Sequence, residues 1–329
     1  MILKEVQTAA VSDRTIPENC TRSNVAGVRI SVVVATFNRR NSLMLLLESL
    51  SKQTISGFEV IVVSDGSTDG TVQMLHKLQD QFGNLRIIDE VNRGPGAARN
   101  AGARAALGDY LAFTDDDCVA SKDWLEQFLA AFEDTGAVAV QGRTTTDRLA
   151  RSPLTHQMEI LTPMLKVLPT CNVAYLKRAF EGVGGFDESF KSAHNEDADL
   201  VWRIEEVGKI VFAPKVHIIH PPRSDSFYKR ARWVRGLESE FLLYYKNRDK
   251  YRKYRSISPW WNIYWNIFII GQLQMIWSNC KYLLKPYNPY YFFLGIALVV
   301  TRWFNLVRFL PVYYRAYRSY RKKMPVKGA

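Results

Sequence analysis

The 329-residue sequence predicts an α/β protein of the doubly wound, Rossmann-like kind with a helical extension behind it. Three observations carry this. From Val28 to Gln141, short β-branched runs alternate with segments of helical period, the pattern of strands covered by helices on both faces. Polar stretches fall where those strands stop, at Thr36-Phe37-Asn38, at Asp65 and at Asp115-Asp116-Asp117, which is where an open α/β sheet binds its ligands. The charge is also divided. The net charge is +12, yet residues 221–329 hold 21 Lys/Arg against 4 Asp/Glu, leaving 23 against 28 before them. An acidic front and a basic rear point to an anionic partner for the rear, membrane or nucleic acid.

Residues 1–25 form a polar, mixed tail that lacks the apolar stretch of a cleaved signal peptide. Residues 28–35 are β-branched and read as a buried strand, and 41–50 place Leu43, Leu46, Leu47 and Leu50 at helical spacing. A second strand, 58–63, runs into a Ser/Thr/Asp/Gly stretch that suits the N-cap of a helix ending at Leu78. A strand at 85–88, a helix at 95–107, a strand at 110–113, a helix at 124–132 and a strand at 137–141 complete the alternation. Further on, Glu196 opens an amphipathic helix through Glu206 with Leu200, Ile204 and Val207 inward, and 215–220 is a strand ended by Pro221-Pro222. His217 and His220, three apart on that strand, point to opposite faces. Residues 227–245 read as one basic helix. The four cysteines are widely separated, with no CxxC pair, so neither zinc nor a disulfide framework is indicated and a reducing cytosol fits.

Crowded carboxylates repel and raise one another's pKa. A hard divalent cation with oxygen ligands is the usual compensation for a run such as Asp115-Asp116-Asp117, although three aspartates alone would also suit a solvated turn. Gly94-Pro95-Gly96 opens a helix as a dinucleotide fingerprint does, but Arg99 stands where the third glycine would permit close packing. Gly94 and Gly96 therefore read as turn residues, and Arg99 as a donor-site cation or a surface arginine.

The residues resemble the family 2 glycosyltransferases, with their GT-A fold, a doubly wound mixed sheet. Residues 32–39 look like the family's first strand and nucleotide loop, 62–69 its second, 92–102 the stretch before the metal motif and Asp115-Asp116-Asp117 the DxD motif itself. Gly184-Gly185-Phe186-Asp187 and the segment opened by Glu196-Asp197 match acceptor-side motifs. One departure is Ser64, where the family often has the first Asp of a pair. The resemblance implies inverting transfer from a nucleotide-diphosphate sugar, UDP fitting best, with Mg²⁺ or Mn²⁺ on Asp117, Asp115 and His220. It implies a donor site of Ala35, Thr36, Phe37, Arg39, Asp65, Arg99, Asp115 and Asp116, in which Asp65 accepts from the base and Asp115 or Asp116 reaches the ribose or a metal-bound water. Asp197 would be the general base and Glu196, Arg232 and Trp233 acceptor-side residues; first-turn acids that merely cap the helix are the plain alternative. Processive polysaccharide synthases carry Gln-x-x-Arg-Trp here, and Lys229 replaces that Gln before Arg232-Trp233, so processivity is not inferred.

The resulting division is a tail at 1–25, a GT-A catalytic domain at 26–222, a basic acceptor-side helical region at 223–255 and a membrane-associating segment at 256–329. Residues 256–280 are uncharged and aromatic-rich, and 286–301 are uncharged before Arg302. About 20 apolar residues span a bilayer core, yet Asn262, Asn266, Gln272, Gln274 and Asn279 suit hydrocarbon poorly. A hairpin through the membrane from its cytoplasmic face, helices lying in the surface of the plasma membrane, or an apolar docking surface for a partner or for the catalytic domain would each fit. The acceptor expected is lipid-linked or a saccharide. A nucleic-acid-binding protein is the rival from another class, and would place its basic residues on the α/β domain, which is acidic. A sugar-phosphate nucleotidyltransferase would need a glycine-rich basic loop after the first strand, which Thr36-Phe37-Asn38-Arg39 does not supply.

Overall fold

In a computed structural model of the chain, residues 27–79, 82–149, 152–284 and 288–323 are described; the tail at 1–25 lies outside them. The elements begin β1 (Ile30–Thr36), α1 (Arg40–Leu50), β2 (Phe58–Asp65), α2 (Thr71–Gln79), β3 (Leu85–Glu90), α3 (Pro95–Ala105) and β4 (Tyr110–Asp115). They continue with β5 (Val119–Ala120), α4 (Trp124–Thr135), β6 (Ala139–Thr145), β7 (Thr155–His156), β8 (Asn172–Leu176), α5 (Lys177–Gly182), α6 (Glu196–Ile204), β9 (Ile210–Ile219) and β10 (Arg223–Ser224). Eight strands form one sheet in the order β3-β2-β1-β4-β8-β6-β9-β5. The pairs β3/β2, β2/β1 and β1/β4 are parallel, whereas β8 runs antiparallel to both β4 and β6, so the sheet is mixed. A register shift between Gly142 and Arg143 lets β9 pass Pro214, which has no N–H to give to the ladder.

Strand alternation sends side chains to two separate cores. Ile30, Val32 and Val34 join Leu43, Leu46 and Leu47 of α1 and Trp124 and Phe128 of α4. Val33, on the other face, meets Ala98 and Ala101 of α3 and Leu200 and Trp202 of α6. The close approach that Arg99 does not permit is made one turn later by Gly102. A Cβ there would lie 2.4 Å from Val33 Cγ1, so only glycine lets α3 settle on β1.

Two sequence expectations are corrected. α6 stops at Ile204, leaving Val207 beyond the helix and exposed. The single helix expected over 227–245 is broken into α7 (Phe227–Arg232), a 3₁₀ turn (Trp233–Glu238) and α8 (Ser239–Lys246). The break has a packing cause: at Gly236 the chain passes so close to His194 that a Cβ would come within 2.6 Å of the imidazole.

After α9 (Arg248–Tyr254) comes α10 (Pro259–Trp261), which passes through a π-helical stretch (Asn262–Ile270) into α11 (Gly271–Asn279); a 3₁₀ turn (Cys280–Leu283) precedes α12 (Tyr290–Lys323). Asn262, Gln272 and Asn279 are buried against protein, which explains polar residues in an otherwise uncharged run. Among the described residues α12 alone is long and apolar enough to cross a membrane. One face of α12 packs on α7, α8 and α11 through Leu298, Leu306, Phe309 and Tyr313. Away from these contacts, Trp277 of α11 is 81 % exposed and Phe304 of α12 is 72 % exposed.

Candidate active site

The carboxyl ends of β1, β2 and β4 form one wall of a cleft of about 1350 Å³, and the 191–197 segment with α7 and its 3₁₀ turn forms the other. Ala35, Thr36, Phe37, Arg39, Asp65, Arg99, Asp115 and Asp116 all line it, as do Glu196, Asp197, Arg232, Trp233 and His220. Asp117 lies behind this surface, beneath Arg39 and Arg223.

The three consecutive aspartates diverge where β4 ends. Asp115 meets Arg99 Nη2 at 3.2 Å. Asp116 turns inward to accept from Thr36 Oγ1 at 2.7 Å and Arg39 Nη1 at 2.9 Å. Burial raises the Asp116 pKa to about 6 against the opposing pull of Arg39. Asp117 accepts from Arg39 Nη1 at 2.5 Å and Arg223 Nη1 at 2.8 Å, both on Oδ2, while Oδ1 faces His220 Nε2 at 3.4 Å. Burial works against ionisation of Asp117, but the charges of His220, Arg39 and Arg223 hold its pKa below the usual carboxylate value. His217 instead meets the Thr145 hydroxyl at 2.8 Å.

This corner fits a divalent cation. Asp117 Oδ1 is buried without a hydrogen-bond partner, and a carboxylate oxygen beside an imidazole nitrogen is a ligand pair for a small dication. The third group within 4.8 Å, Cys118, is a poorer donor: burial raises its thiol well above the ordinary value, and a protonated sulfur does not suit Mg²⁺ or Mn²⁺. Asp115 stands apart from this group, beside Arg99.

Asp65, at the end of β2, is gripped by backbone: Arg93 N donates to Oδ1 at 2.7 Å and Gly94 N to Oδ2 at 3.0 Å. It thus fixes the turn into α3 as well as facing the cleft. Arg99 is a buried bridge, meeting Asp115 and, at 3.2 Å, Glu196. Sequence reading left Arg99 as a donor-site cation or a surface residue; the structure removes the surface alternative.

On the facing wall Asn195 takes φ +71 before α6, a left-handed conformation that asparagine tolerates. Its side chain is fixed from three sides, by Ser239, Glu240 and Arg255. Asp197 accepts from the Ala198 N–H at 2.8 Å. Burial, and then the Glu196 charge, raise its pKa to about 7. Arg232 rests over the Tyr228 and Phe309 rings, and Trp233 lies 5.7 Å from the His194 ring. Two neighbours escaped the sequence reading. Arg223 follows Pro221-Pro222 closely after His220, a basic residue at a strand end that would have marked it. His194 carries two buried ring nitrogens without partners, which no local pattern announces.

The strand order, the carboxylates at the end of β4 and the facing acidic helix define an α/β transferase of the GT-A fold. The Pyrobaculum calidifontis mannosyltransferase PcManGT, solved with GDP-Man and Mn²⁺, superposes with a TM-score of 0.56 over 86 % of this chain and 90 % of its own, at 18 % identity. S. aureus TarS in complex with UDP does so with a TM-score of 0.52 over 91 % and 93 %, at 21 % identity. The sequence matches the models "Glycosyl transferase family 2" over residues 31–186 and "Glycosyl transferase family group 2" over 110–305. The chain belongs to the family 2 glycosyltransferases. It is 31 % identical over 215 residues to the pre-mycofactocin glycosyltransferase of Mycobacterium tuberculosis, 59 % of this chain but only 43 % of that protein. Against the glucosyl-dolichyl phosphate glucuronosyltransferase of Haloferax volcanii it is 28 % identical over 220 residues, 59 % of this chain and 69 % of that one.

Proposed function

We propose that the chain transfers a sugar from a nucleotide-diphosphate sugar, UDP being the best-fitting carrier, to a hydroxyl of a lipid-linked or saccharide acceptor, with inversion at C1, at the cytoplasmic face of the plasma membrane. Asp197 carries this reading: a carboxyl with a pKa of about 7 lines the same cleft as Asp115, Asp116 and His220. Raising a carboxyl toward the working pH is what suits it to act as a general base.

In the proposed step the acceptor oxygen gives its proton to Asp197 and bonds to C1 of the sugar. The bond from C1 to the diphosphate oxygen breaks, and the nucleoside diphosphate leaves with the electron pair. Asp117 and His220, with Asp115 as a further candidate, would hold Mg²⁺ or Mn²⁺, which when bound neutralises charge on the diphosphate. Arg39 lines the donor wall and adds positive charge there. Asp65 would accept from the ring N–H of the base, the backbone at 35–37 meeting its other edge. Arg99 keeps Glu196 engaged at 3.2 Å, so that one acceptor-side carboxylate, Asp197, is available for the proton. Arg232 and Trp233 would bear on the acceptor.

Attachment in the plane of the membrane suits the extension better than spanning does. α12 has one face buried in the fold and carries Arg302, Arg308 and Arg315 along its length, while Trp277 and Phe304 are turned outward. The "dolichyl phosphate" in the name of the Haloferax relative supports a lipid-linked acceptor.

The test is donor hydrolysis and transfer across UDP, GDP and dTDP sugars with Mn²⁺, the product anomer being read by NMR. Turnover of a UDP sugar with inversion is expected. Absence of turnover with every carrier would sink the transferase reading, and a retained anomer would sink direct displacement.

A further inference from the structure

α12 carries a charge into the interior of the protein. Arg302 is 6 % exposed, its Nε donates to the Arg230 carbonyl at 3.2 Å, and its guanidinium carbon lies 5.7 Å from the centre of the Trp233 ring. Among the described residues Nη1 finds only the Met275 sulfur, at 3.2 Å. No carboxylate among the described residues forms an ion pair with it. A buried guanidinium is ordinarily paired, because desolvation of an uncompensated charge is costly.

Its neighbour shares the deficit. Arg230 Nε is buried without a hydrogen-bond partner, and burial, against the opposing pull of Asp225 and with a smaller push from the Arg223 charge, lowers the Arg230 pKa. Asp225, the carboxylate that acts on Arg230, is already engaged by Lys229 Nζ at 2.8 Å and by Arg223 Nε at 3.6 Å. Burial, and then the Arg230 charge, bring Arg302 down to about 10, still cationic at neutral pH. From Arg223 beside Asp117, whose charge is felt by Arg230, the basic residues lead to Arg302, which feels the Arg230 charge and bonds its backbone carbonyl on the helix that presents Phe304 outward. Trp233 lies between Arg302 and His194, and both Trp233 and Arg230 line the cleft that holds Asp197.

We propose that Arg230 and Arg302 bind a phosphate group of the acceptor, a lipid phosphate or diphosphate whose hydrocarbon chain lies along the exposed apolar face of α11 and α12. Two guanidiniums offer forked donors and a double positive charge, which suit a phosphate better than a single carboxylate. The proposal rests on the reading of a lipid-linked acceptor given above.

The probes are geranyl phosphate, geraniol and inorganic phosphate, titrated calorimetrically into the full-length protein in nonionic detergent with UDP present. Geranyl phosphate should bind at least about tenfold more tightly than either of the others, and Arg302→Met should weaken it at least about tenfold, with Arg302→Lys recovering part of the loss. UDP binding is measured on every variant as the control for folding. If Arg302→Met loses UDP binding, Arg230→Met takes its place and is judged by the same threshold. Undiminished geranyl phosphate binding in the variant overturns the site, and geraniol binding as tightly as its phosphate does the same. Inorganic phosphate binding as tightly as geranyl phosphate overturns the lipid assignment. Wild-type protein that transfers sugar to a neutral saccharide but ignores geranyl phosphate overturns this site and leaves the transferase reading standing. Binding of geranyl phosphate without turnover of any nucleotide sugar does the reverse.

Discussion

Along the donor wall most polar side chains are already held by another part of the fold. Asp65 grips two backbone N–H groups, Asp116 has Thr36 and Arg39, and Asn38 Oδ1 accepts from Thr68 N at 2.7 Å. The acceptor wall is left incomplete: both His194 ring nitrogens, Glu196 Oε2 and Arg230 Nε are buried without partners. Leaving a buried polar group unpaired costs about 1–3 kcal/mol, so the two walls carry different energetic loads before any ligand arrives. The donor side is largely held before any ligand arrives, Asp117 Oδ1 being an exception, whereas the facing wall keeps four such unpaired buried atoms.

That contrast can be broken most sharply at Asp197. If Asp197 is the general base proposed above, Asp197→Asn should lower transfer by about 10²–10⁴-fold while nucleotide affinity stays near wild type, as expected of a group that acts on the acceptor alone. Initial rates beside nucleotide titrations check it; loss of both would make Asp197 a helix cap. On the donor wall, Asp117→Asn keeps the shape and removes a ligand charge, so activity should fall by about 10³-fold, several kcal/mol of charge stabilisation. Full activity at saturating Mn²⁺ and Mg²⁺ would remove Asp117 from the cation site.

The pH profile sharpens the comparison further. A base with its pKa raised to about 7 is protonated below that value and competent above it. The rate should therefore fall about tenfold per pH unit below pH 7 and level off above. A kcat that is flat from pH 5 to 8 would show that no acceptor-wall carboxyl limits the reaction. The smallest effect is expected outside the cleft, where Trp277→Ser with Phe304→Ser should cut partition onto anionic vesicles about tenfold and leave donor hydrolysis alone. Unchanged vesicle sedimentation would mean that a partner other than lipid covers this face.

Much of the α/β half was legible because its determinants are local. The Leu43, Leu46, Leu47 and Leu50 spacing, and Gly94-Pro95 at the opening of α3, specify those elements without help from the rest of the chain. The carboxylates at strand ends were legible for the same reason. What stayed hidden depends on residues far apart in sequence: Arg99 linking Asp115 to Glu196, and Arg223 returning to Asp117. The break at Trp233 was equally hidden, since Gly236 is forced by His194 and not by its own neighbours. The extension did leave one readable sign. Asn262, Gln272 and Asn279, ten and seven residues apart, fall on one side of a helical path and mark its protein-facing stripe.

Glu240, buried at the start of α8, accepts from Asn195 of the acceptor loop at 2.9 Å, from Tyr251 at 2.6 Å and from Asn262 of the extension at 3.0 Å. For protein engineering this makes the extension a poor module. A chimera that grafts another relative's C-terminal helices after α9 would take away the Asn262 donor to a buried carboxylate and the Arg255 donor to the asparagine that sets the entry to α6, leaving each with two of its three partners. Swaps should tolerate exchange of the outward-facing aromatics and fail at Asn262, so the transplantable unit is a surface, not a segment.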